Sequence, residues 1–438
     1  MSIKSSFNRK EFLQASAALL AGFTIPKSNL SAFSLTDLFS RSYDSNEDLS
    51  LPSPVRTVIF INMEGGMSHV DTLDPKKNSA FGKVDSSIRN LSVLEPFQKT
   101  AKHLHKLTVI RSTSCEDGDH GMAQHLLNTG YRETETVGIP DLPHMGAMIS
   151  YIKSLNKKPS SYFPRYITMG GRNGKIGDPG YLSVDHAGFH VGDPNKPLSN
   201  ITPSWGKYEN ERILRRETFL DALNSEYNNK NHSLNLDVWD KMYVAAREFR
   251  DSDKISSFDW SKEKESVIKS YGESWQGKAM LIARKLTEIE VPFIQITIGG
   301  WDTHDNNKSR ITKIMSETDQ GLAALLGELE STGLMKQTIF MLSSEFGRTP
   351  DVGTRDGRDH HPKVWTTLIG GGSISKGRVF GETDEKGEKA TKSSPVMHVR
   401  DLVASLYKYS GINPKKLIKN SQDRPIAIAN KASKVVEI

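Results

Sequence analysis

VPFIQITIGGWDTHD (residues 291–305), followed after a helical interval by TDQGLAALLGELESTGLMKQTIFMLSSEFGRTP (318–350), decides the fold. Val291 to Ile298 is an apolar run that stops at two glycines, the pattern of a buried strand. Ser309 to Thr332 is expected to be helical. Leu322, Leu325, Leu326 and Leu329 share one face there, and Gly333 supplies the stop. Thr338 to Leu342 is again a strand. Apolar strands alternating with helices predict an α/β fold: a mostly parallel sheet with helices on both faces. Such sheets bind ligands at the carboxyl ends of their strands.

The same reading extends outward in both directions. Thr57 to Asn62, Leu107 to Ile110, Arg165 to Met169 and Val364 to Ile369 are expected strands. Gly121 to Asn128, Leu142 to Leu155 and Asp401 to Tyr409 are expected helices, with Gly130 and Gly411 past the first and last. Residues 236–290 read as helical, with Leu236, Trp239, Met242, Tyr243, Ala246 and Phe249 on a core-facing stripe. Residues 170–235 are rich in Gly, Asn, Pro and Ser and read as a loop insertion over the active-site face. The organisation expected is a linker over 35–56, one domain over 57–415 and a tail over 416–438.

Residues 1–34 read as an export signal. Lys4, Arg9 and Lys10 precede an apolar run from Leu13 to Ile25 that is too short to span a bilayer. Asn8-Arg9-Lys10-Glu11-Phe12-Leu13 resembles a twin-arginine export motif with lysine in the second arginine position, so a periplasmic or secreted protein is expected. The formal charge of +6 falls to +3 without that segment, and nucleic acid is not an expected partner. Cys115 is the only cysteine, which excludes an intrachain disulfide framework and a cysteine zinc cage. No cysteine directly follows the apolar run, so a lipoprotein anchor is not expected, and no other segment is long and apolar enough for a membrane span.

Residues able to do chemistry gather at the expected strand ends. Asp302 and His304 follow one strand, Glu345 ends the next, and Asp359, His360 and His361 precede another. Carboxylates mixed with imidazoles suit a divalent metal (Zn, Mn, Mg or Ca), which would acidify water or hold an anionic ester. Asp302, His304, Glu345, His360 and His361 are the expected ligands. Arg348 offers a fork for phosphate or sulfate, or else a structural ion pair. His120 lies where a helix N-terminus is expected, as ligand, nucleophile or general acid. Glu64, Ser68, His69, Asp71 and Asp359 are further candidates, the first four in or beside a glycine-rich loop after the first strand.

The segments GGMSHVDTLDP (65–75), DHGMAQHLLNTG (119–130), GGWDTHDN (299–306), GRDHHP (357–362) and GGGSISKGRVFGETDE (370–385), with the 318–350 unit, carry a resemblance covering residues 56–415. The chain resembles a sulfatase-like family of exported bacterial proteins, a domain of unknown function in the alkaline phosphatase superfamily. The resemblance implies that superfamily's fold, a metal centre and hydrolysis of phosphate or sulfate esters, with an anionic small molecule or glycan as substrate. Two departures accompany it. Where sulfatases have Ser-Asp-His-Gly, with Asp and His on the metal, this chain has Ser344-Glu345-Phe346-Gly347. Counting nine residues back from Thr129, where a sulfatase carries its Cys or Ser nucleophile, gives His120. A catalytically inactive fold used for binding or surface assembly is therefore the alternative expectation.

Overall fold

The computed structural model describes residues 49–136, 141–155, 162–171, 175–197, 199, 209–230, 234–420 and 422–438. The expected export signal lies outside these residues. One central sheet organises the chain. Its strands are β1 (Thr57–Met63), β2 (Leu107–Ser114), β3 (Tyr166–Gly170), β4 (Phe189–Val191), β5 (Phe293–Ile298), β6 (Thr338–Ser343), β7 (Trp365–Gly370), β8 (Arg378–Phe380) and β9 (Met397–His398). Their order is β8–β2–β7–β6–β1–β5–β3–β4, with β9 on β2. Every pairing is parallel except those of β7, which runs against both neighbours. The fold class expected from the sequence is the one observed.

Alternation along β1 sorts two apolar layers. Val58 and Phe60 pack with Leu126, Leu127, Met148 and Leu402 on one face. Ile59, Ile61 and Met63 pack with Leu281, Leu322 and Leu325 on the other. The first face is covered by α1 (His120–Thr129), α2 (Met145–Ser154) and α8 (Val399–Tyr409). The second is covered by α6 (Trp275–Glu288) and α7 (Asn307–Ser331).

Several expected boundaries move, for physical reasons. β2 continues four residues beyond Ile110 because Arg111, Ser112, Thr113 and Ser114 end the apolar signal but not the hydrogen-bonded ladder, which still pairs with β7 and β9. The loop expected over 170–235 contains β4 and a long helix, α3 (Glu209–Lys230), followed by α4 (Leu234–Asp251). α3 is polar nearly all round, so it lacks the apolar stripe that reveals a helix in sequence. It is tied to α4 by Arg247 to Asp221 and by Arg250 to Glu217. Of the stripe expected before Asp251, Phe249 is buried, and Leu236, Trp239 and Met242 lie outside the described side chains. The short helix α5 (Glu265–Tyr271) completes the stretch before α6.

The two ends also join the fold. Leu49 and Val55, expected in a linker, are buried, and Leu51 N donates to Gly411 O. The expected tail forms a hairpin, Leu417–Lys419 against Pro425–Ala427, whose Ile418 and Ile426 enter the core with Ile438.

Candidate metal centre

The sheet brings the site together. In register, Asn62 on β1 lies beside Thr297 on β5 and Ser343 on β6, so the three strands end at one edge. The segments leaving them are Glu64-Gly65-Gly66, Gly299 to His304, and Ser344-Glu345-Phe346. β2 ends at the same edge and leads to α1. β7 runs the other way, so its beginning, not its end, reaches this edge and delivers His360 and His361.

Two glycines make the approach possible. Gly65 has φ +113°, and a Cβ there would sit 2.5 Å from Asp302 N. Gly66 has φ +88°, and a Cβ would meet the Phe346 ring at 2.7 Å. Both backbone conformations are open to glycine and strained for other residues.

Four polar side chains converge. Asp302 Oδ1 lies 3.1 Å from His304 Nε2, 3.4 Å from His360 Nε2 and 3.4 Å from His120 Nε2. The ligand-capable atoms of His120, Asp302 and His360 all lie within 4.8 Å of one another. His304 Nε2 is 3.0 Å from His360 Nε2.

The outer nitrogen of each imidazole is held by an acceptor. His120 Nδ1 donates to Glu345 Oε1 at 2.8 Å, His304 Nδ1 to Asp359 Oδ1 at 3.0 Å, and His360 Nδ1 to Gly118 O at 2.7 Å. Carboxylate and carbonyl oxygens accept only, so each Nδ1 carries its proton, and a ring in its neutral form turns an Nε2 lone pair inward. His120 Nε2 is buried and makes no hydrogen bond; its separation from Asp302 is an ion-pair distance only. Nε2 lone pairs 3.0 Å apart beside a carboxylate oxygen repel unless a proton or a cation lies among them, and Arg348 meets this pair only from the Asp302 and His304 side. The donor set therefore fits a divalent metal, with outer partners of the kind that orient metal-bound histidines.

Charge and burial act on the same groups. Burial alone would raise the Asp302 carboxyl, but the Arg348 guanidinium outweighs it and holds the group at about 2. The Glu345 hydrogen bond raises His120 above its ordinary value, while burial lowers His360.

Glu345, expected as a ligand, is fully buried and faces His120 instead. Its Oε1 accepts from Gly65 N at 2.8 Å as well as from His120. His361 is not brought to the cluster. His360 and His361 pair antiparallel with Arg348 and Gly347, and successive strand residues point to opposite sides. His361 bonds to Glu388 O and stacks at 6.0 Å on His69, which bonds to Gly387 O. His120, placed by the sequence at the N-cap, is the first helical residue of α1. Asp119 is the cap and accepts from Met122 N.

Arg348 is not the open fork that was expected. Nε donates to Gly66 O at 3.1 Å, Nη1 to Arg358 O at 2.9 Å, and Nη2 to Gly65 O and to Asp302 at 2.5 Å. The last Nη1 hydrogen points to His304 Nε2 at 3.5 Å. Four donors thus meet acceptors, and the fifth is directed at the nitrogen that His304 would turn to a metal. Asp71 is likewise spent in a buried bidentate pair with Arg358, and Ser68 bonds to Asp71. Glu64 leaves β1 toward Gly171 and Gly299.

Two contributors were not legible in the sequence. Gly118 acts through its carbonyl, which no side-chain pattern reveals. Ser344 bonds to Met63 O at 2.6 Å and accepts from Met67 N at 2.9 Å, joining β6 to the glycine loop. Phe346 is buried with its ring centroid 4.8 Å from that of His120 and 4.6 Å from that of His360, a dry wall behind both.

The chain belongs to the family described as "Protein of unknown function (DUF1501)", which matches residues 55–438. No curated protein matches it. Among solved structures it is similar to the lipoteichoic acid synthase LtaP from Listeria monocytogenes, at 11% identity and TM-score 0.38 over 90% of this chain and 80% of that one. It is similar to the PsFucS1 sulfatase from Pseudoalteromonas sp., at 12% identity and TM-score 0.38 over 82% and 68%. It is also similar to a protein in the alkaline phosphatase superfamily from Vibrio parahaemolyticus, at 9% identity and TM-score 0.36 over 93% and 76%. Among the described residues, no helix is long and apolar enough to cross a membrane.

Proposed function

We propose that the chain is a metal-dependent hydrolase of phosphate or sulfate esters that works outside the cytoplasm. The observation that carries this reading is the convergence of three imidazole Nε2 lone pairs on Asp302 Oδ1, each ring fixed from behind by Glu345, Asp359 or Gly118 O. His120, Asp302, His304 and His360 would hold the metal. Three imidazoles and one carboxylate favour zinc or manganese over magnesium or calcium. A divalent cation supplies acidity to water and charge to a developing oxyanion. The protein's part is to fix the ligand rings, to keep Asp302 ionised through Arg348, and to exclude water behind the ligands with Phe346. Export rests on the reading of residues 1–34.

Elemental analysis of chelator-free protein beside Asp302→Ala and His360→Ala is the test. Stoichiometric metal in the parent and its loss in both variants supports the reading. Retention of metal in both would remove its basis. A metal-loaded parent would then be offered phosphate and sulfate esters.

A catalytically inactive binding protein is the second reading, and two observations favour it. No hydroxyl or thiol stands at His120. The Cys115 thiol, five residues away, is pushed up to about 12 by burial and stays protonated at neutral pH. Tight metal with no turnover across those esters would select it.

A further inference from the structure

The charge at the mouth of the centre bears on what can enter it. Arg348 has four of its five donors engaged by Gly66, Arg358, Gly65 and Asp302, and the fifth is directed at His304 Nε2. Arg358 is fully spent. It grips both oxygens of Asp71 and donates to Thr349 O, Pro350 O and Asn78 O. Both side chains are fully buried. Arg310, beyond them, pairs with Asp305 at 2.5 Å and reaches Asp302 O at 3.4 Å. These three guanidiniums serve the protein's own acceptors. Arg348 and Arg358 are buried, and the groups turned outward are Asp302, 49% exposed, Asp359, 79%, His304, 41%, and Arg310, 46%, the last already paired with Asp305. Among the described residues, an incoming anion therefore meets the carboxylates of Asp302 and Asp359, and the exposed guanidinium beside them, Arg310, is already engaged by Asp305.

We infer that the centre, on the hydrolase reading above, takes a tetrahedral ester head bearing one negative charge, a phosphodiester or a sulfate monoester, and discriminates against the doubly charged phosphate monoester. The metal would offset one charge at the reacting group. A second charge, which a guanidinium fork would meet elsewhere, here adds repulsion from Asp302 and Asp359. Hydrolysis of either accepted ester consumes one water, breaks the bond from phosphorus or sulfur to the leaving oxygen, and returns a proton to that oxygen.

The test uses the full chain reconstituted with zinc or manganese. Calorimetry at about pH 8 would compare dimethyl phosphate and methyl sulfate with methyl phosphate, which is doubly charged there. We expect at least one singly charged ion to bind about tenfold tighter than methyl phosphate. The tighter of the two names the ester class. Asp359→Asn keeps an amide oxygen for His304 Nδ1 and removes the charge. It should strengthen methyl phosphate several-fold more than the singly charged ions. Equal or tighter binding of methyl phosphate, an unchanged gap in Asp359→Asn with metal retained, or no binding of any of the three would overturn the inference. Hydrolysis of the p-nitrophenyl counterparts is measured in parallel. The expected binding order without turnover would discard the hydrolase reading and keep the charge preference.

Discussion

Glu345 shows how one side chain can orient a proposed metal ligand, His120, without itself reaching the cluster. Its Oε1 is shared between Gly65 N and His120 Nδ1, so it sets both the loop and the tautomer of His120. Glu345→Gln keeps the volume and removes the charge. Chelator competition should show metal binding weakened by about 10- to 100-fold, the usual cost of losing an outer-shell partner. Unchanged affinity would mean that His120 is oriented by something else. Phe346 can be tested by stability. It is fully buried against His120 and His360, and Phe346→Ala leaves a cavity costing about 3–5 kcal/mol in urea unfolding. The types of these residues were legible in sequence. Their roles were not, because Glu345 reads as a ligand until the position of His120 is known.

At the level of elements, the centre depends on how strand ends and one helix start are pinned. α1 begins at His120, one residue after its Asp119 cap. Asp119→Ala removes the bond to Met122 N and should cost about 1 kcal/mol of stability. It also frees the turn carrying His120, so metal affinity should fall in the same variant. Gly65 is less forgiving. Gly65→Ala sets a Cβ 2.5 Å from Asp302 N at a φ that alanine rarely adopts. Thermal melting should show a lower midpoint, and metal analysis a lower occupancy even where the variant folds. Strand and helix positions followed from apolar spacing. α3 escaped because a polar helix has no such spacing, and β2 was read short because its last four residues are polar.

For the whole molecule, histidines far from the centre set the response to acid. His144 and His186 are buried, and burial lowers both to about 3. In the unfolded chain a histidine titrates near ~6.5. Below that value the unfolded chain binds a proton that the folded chain refuses. Stability is therefore complete above about pH 6.5 and declines as pH falls toward 3, by up to ~1.4 kcal/mol per pH unit for each histidine. Urea unfolding of metal-free protein at pH 7 and pH 5 should show the loss. His144→Asn keeps an acceptor for Gly146 N and removes one titrating group, so its loss over that range should be smaller. An equal loss would place the acid response elsewhere.

The sequence by itself determined the elements and the chemical inventory. Apolar periodicity marked β1, β5, β6, β7 and α7, glycines marked the turns, and carboxylates and imidazoles after apolar runs marked a candidate metal centre. These are local properties, written in neighbouring residues. Only the tertiary structure decided which groups meet. The reversed direction of β7 brings its beginning to the edge where β1, β5 and β6 end, and strand alternation turns His360 inward and His361 away. It also decided that Arg348 is spent within the protein, since its acceptors are backbone carbonyls of Gly65, Gly66 and Arg358 together with Asp302. Such partners lie from 10 to 283 residues away in sequence and are fixed by packing between segments, and no local pattern encodes them.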